Sequence, residues 1–112
     1  MRIIGGSRRG LKLAEVGEGD AAAHLRPTSD RVREAIFNLL INAHGNPVTG
    51  ANVLDLFAGT GALGLEALSR GAQSATFVDD GKPALALLRA NIAKMRAETQ
   101  TRILRQDATR LP

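Results

Sequence analysis

Gly59-Thr60-Gly61-Ala62-Leu63-Gly64 is the feature that most limits what this chain can fold into. It follows a short apolar run, residues 52–57 (NVLDLF), that reads as a buried strand. It opens residues 62–70, which read as a helix with Gly71 as C-terminal cap. The glycines permit a tight turn and close approach of a ligand to the backbone, and the helix that follows presents free N–H groups. Residues 74–79 (SATFVD) read as a second strand. A helix then runs from Pro83 to about Glu98, with Leu85, Leu88, Ile92 and Met95 on one face. Residues 101–106 (TRILRQ) read as a third strand that ends at Asp107. Strand and helix in alternation predict an α/β fold with a parallel sheet, and right-handed crossovers put a ligand at the strands' carboxyl ends.

Upstream, residues 2–6 and 11–16 are strand-like and residues 7–10 are turn-forming, which predicts a β-hairpin outside the sheet. Residues 17–23 read as a loop. Pro27 precedes Thr28, Ser29 and Asp30, all good helix caps, and Val32, Ile36, Leu39, Leu40 and Ala43 then recur at helical spacing as one apolar face. The chain thus divides into a basic hairpin and loop, residues 1–24, and an α/β unit, residues 25–112. Three parallel strands are half of a doubly wound sheet and leave an open edge, so the expectation is the N-terminal portion of a longer protein, with the sheet truncated after its third strand.

Composition removes several classes of function. The 112 residues suit one domain, and 44% apolar with 23% charged residues is ordinary for a globular chain. Without cysteine there is no disulfide, thiolate zinc site or cysteine nucleophile, and His24 and His44 are too few for a histidine cluster, so no metal is expected. No apolar run is long enough to span a membrane. Ser7-Arg8-Arg9 resembles the start of an export signal, but Glu15, Glu18 and Asp20 follow where an apolar stretch should stand, so a cytoplasmic location is expected. The net charge is +4, and Arg2, Arg8, Arg9 and Lys12 carry no acid among them, a basic segment suited to a polyanion such as nucleic acid.

Three aspartates stand at successive strand ends. Asp79 follows the glycine loop at the distance where an acid accepts hydrogen bonds from ribose hydroxyls. A dinucleotide and S-adenosylmethionine both fit such a loop. Asp55, four residues before the first glycine, would face a pyrophosphate unfavourably, whereas the ammonium and sulfonium of S-adenosylmethionine favour a nearby carboxylate. Asp107 could accept from an adenine amino group.

Residues 53–72 (VLDLFAGTGALGLEALSRGA) resemble the first motif of Rossmann-like methyltransferases. With residues 25–37 (LRPTSDRVREAIF) and the Arg-Ile-Ile-Gly-Gly start, they resemble more narrowly the bacterial enzymes that methylate the exocyclic amine (N2) of a guanine in 16S small-subunit ribosomal RNA. That resemblance implies S-adenosylmethionine as cofactor and ribosomal RNA or the small-subunit particle as partner. It implies Asp55, Phe57, Gly59 and Gly61 around the methionine part of the cofactor, and Arg26 and Thr28 at its carboxylate. Asp79 would sit on the ribose, and Asp107 with Ala108 at the adenine edge. Arg2, Arg8, Arg9 and Lys12 would serve the RNA. Gly81 stands where such enzymes commonly carry another acid, which makes Asp80 the alternative ribose ligand. The Asn/Asp-Pro-Pro-Tyr/Phe motif that orients the target amine is missing, since no Pro-Pro pair occurs, and no residue within 1–112 suits a catalytic base. On this reading the 112 residues alone are inactive. The other readings are a DNA amino-methylase, a non-catalytic nucleotide-binding module, and an NAD-dependent oxidoreductase, which Asp55 disfavours.

Overall fold

The computed structural model describes residues 1–14, 29–43, 45–56, 58–107 and 109. Three strands, β1 (Asn52–Leu56), β2 (Ser74–Asp79) and β3 (Thr101–Arg105), form a parallel sheet in the order β1-β2-β3. Asp55 lies beside Phe77, and Phe77 beside Ile103, on one face. Helices α1 (Asp30–Ala43), α2 (Ala62–Ser69) and α3 (Lys82–Met95) complete the described regular structure, with short 3₁₀ turns at Gly6–Arg8 and Glu98–Gln100. The sequence-predicted strands and crossover helices are borne out, residues 74–79 at both ends and the others with no end shifted by more than three residues.

Helices α2 and α3 lie on the same face of the sheet, as the rule of right-handed crossovers between successive neighbouring strands predicts. Phe77 is fully buried there with Leu65, Leu85 and Leu88. Gly64 sets how closely α2 approaches: a Cβ at that position would lie 2.4 Å from the Phe77 ring. Phe37 and Phe77 are both core residues. On the opposite face of the edge strand β1, Leu54 and Leu56 are exposed.

The N-terminal segment, residues 1–14, keeps the predicted antiparallel course with little regular pairing. Arg2 and Lys12 form an isolated bridge, and Ile3 N–H donates to Leu11 O at 2.9 Å and Leu13 N–H to Met1 O at 2.9 Å. The reversal runs through the 3₁₀ turn, where Gly6 has φ +82° and a Cβ would lie 1.9 Å from Ser69 O. Ile3 and Leu13 are buried in the same core as α2 and α3.

The predicted apolar face of α1 is a correction. Of that face, Leu40 packs against the core, but Val32, Ile36 and Leu39 are exposed, and the helix buries Arg33 and Phe37 instead. The cause is Glu66, in the middle of α2 and fully buried. Its carboxylate accepts from Arg33 Nε at 3.1 Å, Arg70 Nε at 2.8 Å, Ile4 N–H at 2.9 Å and Gly5 N–H at 3.0 Å. Arg33 also donates to Asp30 and to the Arg2 carbonyl, and the Arg70 guanidinium lies 5.1 Å from the centre of the Phe37 ring. A buried charge is tolerable only when paired and hydrogen-bonded, and turning α1 toward Glu66 satisfies both charges at once.

Replacing Glu66 with alanine should therefore cost about 3–5 kcal/mol, the scale of removing one partner from a buried ion pair. Chemical denaturation of the Glu66→Ala variant measures this; a loss under about 1 kcal/mol would mean that Asp30 and the Arg2 carbonyl suffice for Arg33.

Candidate functional site

The glycine loop leaves the carboxyl end of β1 and enters α2. Gly59 and Gly61 have φ of +57° and +84°, values that side-chain-bearing residues rarely adopt. The Gly61 N–H closes the turn on Ala58 O at 2.9 Å, and the Ala58 N–H ties it to β2 at Val78 O, 3.0 Å. A Cβ on Gly61 would strike Leu88 at 2.4 Å, so the loop also rests directly on α3.

Two carboxylates bracket this loop. Asp55 Oδ2 accepts from the Gly64 N–H at 3.1 Å, in the first turn of α2. Asp79 Oδ2 accepts from the Gly59 N–H at 2.9 Å, and its Oδ1 from the Gly81 N–H at 2.9 Å. An ionised carboxylate has about four acceptor sites, so Asp79 can still accept from a ligand hydroxyl. Burial pushes the Asp55 carboxyl up to about 6, against the Gly64 hydrogen bond, and the nearby Asp79 charge adds to the rise. A cation placed here would relieve both carboxylates.

Of the sequence-predicted site residues, Asp55, Gly59, Gly61 and Asp79 come together at the ends of β1 and β2. Asp107 follows the neighbouring strand β3, where its Oδ1 accepts from the Thr109 N–H at 2.9 Å and hydroxyl at 2.6 Å, which hold its carboxyl below the usual range. Asp80 is exposed. Arg26, Thr28, Phe57 and Ala108 lie outside the described residues. Arg2, Arg9 and Lys12 are exposed on the N-terminal arm. Arg8 is half-buried: its Nε donates to Met95 O at 2.9 Å, at the end of α3. Arg2 and Arg9 line a hollow of about 350 Å³ with Glu34. Arg2 and Glu34 also line an adjacent one of about 430 Å³, together with Arg31 of α1.

Sequence reading missed Arg31 and two buried polar residues behind the loop, Glu66 and Asn91. Their signal is a polar residue set between core positions, Glu66 between Leu65 and Ala67, and Asn91 beside Ile92. Among the described residues, no three His, Cys, Asp or Glu side chains are placed to hold a metal ion, and no helix is long and apolar enough to cross a membrane.

A protein family described as conserved hypothetical protein 95 matches residues 1–111. The chain is 45% identical to ribosomal RNA small subunit methyltransferase D of Escherichia coli K12 over 97 residues, 87% of this chain and 45% of that protein. It is 38% identical to the protein of the same name from Haemophilus influenzae over 110 residues, 96% of this chain and 52% of that one. The chain thus spans about half the length of these relatives. The solved structure of Escherichia coli yhhF matches with a TM-score of 0.76 at 40% identity, covering 96% of this chain and 53% of that one. The resemblance read from residues 25–37 and 53–72 is borne out.

Asp55 gives the site a pH signature. An unfolded aspartate releases its proton near 3.8, whereas folded Asp55 keeps it to about 6. Between those values the folded state binds more protons, so stability falls as pH rises through the window. From pH 4 to 7 this should cost about 1–3 kcal/mol, and Asp55→Asn should remove that part of the slope. Urea denaturation across pH, on both proteins, checks it; parallel profiles would locate the cost elsewhere.

Proposed function

The chain belongs to the conserved hypothetical protein 95 family, and on that premise we propose that it holds S-adenosylmethionine for methyl transfer to the exocyclic amine of a guanine in small-subunit ribosomal RNA. The observation that carries this reading is the pair of carboxylates at the glycine loop, Asp55 buried and Asp79 beside it. They favour a cationic ligand and oppose a pyrophosphate. The names of the relatives support the ribosomal RNA substrate.

When bound, S-adenosylmethionine supplies an electrophilic methyl group on a sulfonium. The residues of this chain orient and stabilise it. Gly59 and Gly61 let the backbone approach the methionine part, Asp55 offers its carboxylate to the cationic groups, and Phe57 is assigned to the same part of the cofactor. Asp79 keeps acceptor capacity for the ribose hydroxyls, and Asp107 and Ala108 stand for the adenine edge. Arg26 and Thr28 are assigned to the methionine carboxylate. This chain's contribution to rate is positioning and electrostatics.

The protein should bind S-adenosylhomocysteine and not NAD in calorimetry. Asp79→Ala should weaken that binding by roughly 1.5–3 kcal/mol, the scale of hydrogen bonds to a charged acceptor. Tight NAD binding with no response to S-adenosylhomocysteine would reverse the assignment, and an unchanged affinity would move the ribose role to Asp80.

For RNA, the proposal rests on Arg2, Arg8, Arg9 and Lys12. Arg2 and Arg9 are exposed and share one hollow, and Arg2 shares the adjacent one with Arg31, whereas Arg8 also braces α3. Replacing Arg2 and Arg9 together with alanine should flatten the salt dependence of RNA binding by just under one log unit per log unit of salt for each phosphate left without its cation. Affinity for S-adenosylhomocysteine should not change. An unaltered salt slope would make the arm a solvated surface only.

A further inference from the structure

Asn91 is fully buried on α3, and its side-chain amide is committed on both atoms. Oδ1 accepts from the Ala14 N–H at 2.6 Å, and Nδ2 donates to the Ala14 carbonyl at 3.0 Å. The same Nδ2 donates its second proton to the carbonyl of Thr60 at 2.9 Å. The amide thus pairs with residue 14 as a backbone neighbour in a sheet would, and spends its last donor on the glycine loop. Thr60 stands between Gly59 and Gly61, so the peptide it enters is the one that Gly61 turns through at φ +84°. A second contact repeats the link: the Thr60 hydroxyl lies 3.9 Å from Met1 Sδ. Met1 in turn accepts the Leu13 N–H, so both ends of the described arm converge on Thr60.

We propose that Asn91 is a positioning residue for the cofactor loop: it ties the Thr60 carbonyl to the backbone of Ala14, so the loop holds its binding shape only while the N-terminal arm is docked. This rests on the reading of the glycine loop as the S-adenosylmethionine site. Without the amide, the Ala14 N–H and carbonyl and the buried Thr60 carbonyl lose this partner, and the glycines on either side of Thr60 leave the turn with wide backbone freedom. The coupling is reciprocal by thermodynamic necessity: if docking the arm tightens ligand binding, the ligand must tighten the docked arm by the same factor.

The test is calorimetry with S-adenosylhomocysteine on the protein and on Asn91→Ala, below the melting temperature of both. Met95→Ala, a core truncation on the same helix away from the loop, is the comparison. Asn91→Ala should weaken binding about tenfold, the scale of removing one or two hydrogen bonds, while Met95→Ala lowers the melting temperature and leaves affinity unchanged. Equal affinity in Asn91→Ala and the parent would overturn the positioning role. Absence of binding in the parent would overturn the cofactor reading itself. Amide hydrogen exchange on the parent decides the matter if Asn91→Ala does not fold. Saturating S-adenosylhomocysteine should slow exchange at Leu13 and Ala14 several-fold more than at Gly50, whose N–H bonds to Gly71 O in the loops before β1 and β2. Equal slowing at all three amides would show that arm and loop are not coupled.

Discussion

The fully buried Glu66 carboxylate is the interaction on which the rest of the arrangement depends. It gathers two guanidiniums and two backbone amides from three separate parts of the chain: the arm, α1 and α2 itself. An isolated carboxylate at that depth would be intolerable, and Arg33 without it would keep Asp30 and the Arg2 carbonyl but lose its fully buried counter-charge. The charges therefore fix one another's location, and the geometry of the pair sets where α1 lies and which way it faces. Such a pair adds little net stability over an apolar equivalent, but losing either partner from it is costly. The consequence for the site is indirect: Glu66 sits two residues beyond Gly64, so the helix that it anchors is the one that the glycine loop enters.

That anchoring explains why the sequence was legible in some places and misleading in others. The three strands and α2 and α3 follow from local pattern, because alternating strands and amphipathic crossovers bury apolar residues in the ordinary way. Asp55, Gly59, Gly61 and Asp79 were legible as neighbours because a strand–glycine turn–helix unit followed by a parallel strand brings residues at those spacings to adjacent strand ends. α1 was misread because periodicity weighs hydropathy alone. Val32, Ile36 and Leu39 make a plausible inward stripe, and only the long-range partner Glu66 reveals that Arg33 and Phe37 take that place. Asn91 was missed for the same reason, since the value of a buried amide lies in the backbone groups that it meets, 31 and 77 residues away in sequence.

The arm illustrates how one segment can hold two roles without conflict. Its apolar side chains, Ile3 and Leu13, join the core, while Arg2, Arg9 and Lys12 are exposed. Residues alternate sides along an extended chain, so alternation of apolar and basic residues at 2 and 3, and at 12 and 13, gives a docked inner side and a charged outer one. Arg8 departs from the alternation, because the 3₁₀ turn carries it toward the end of α3, where its cation meets the Met95 carbonyl at the negative end of the helix dipole.

The exposed apolar residues complete the physical picture. Parallel sheets are normally covered on both faces because their strands are apolar on both. Here α2 and α3 cover the face that carries Asp55 and Phe77, while Leu54 and Leu56 of β1 are 57% and 42% exposed and α1 exposes Val32, Ile36 and Leu39. β1 is also the strand whose carboxyl end opens into the glycine loop. This exposed apolar edge thus adjoins the candidate site, while Asp55, on the covered face, bonds to α2 through the Gly64 N–H. Whatever came to cover Leu54 and Leu56 would lower the dielectric around β1, making Asp55 harder to ionise without a cation beside it and any bound cation harder to release.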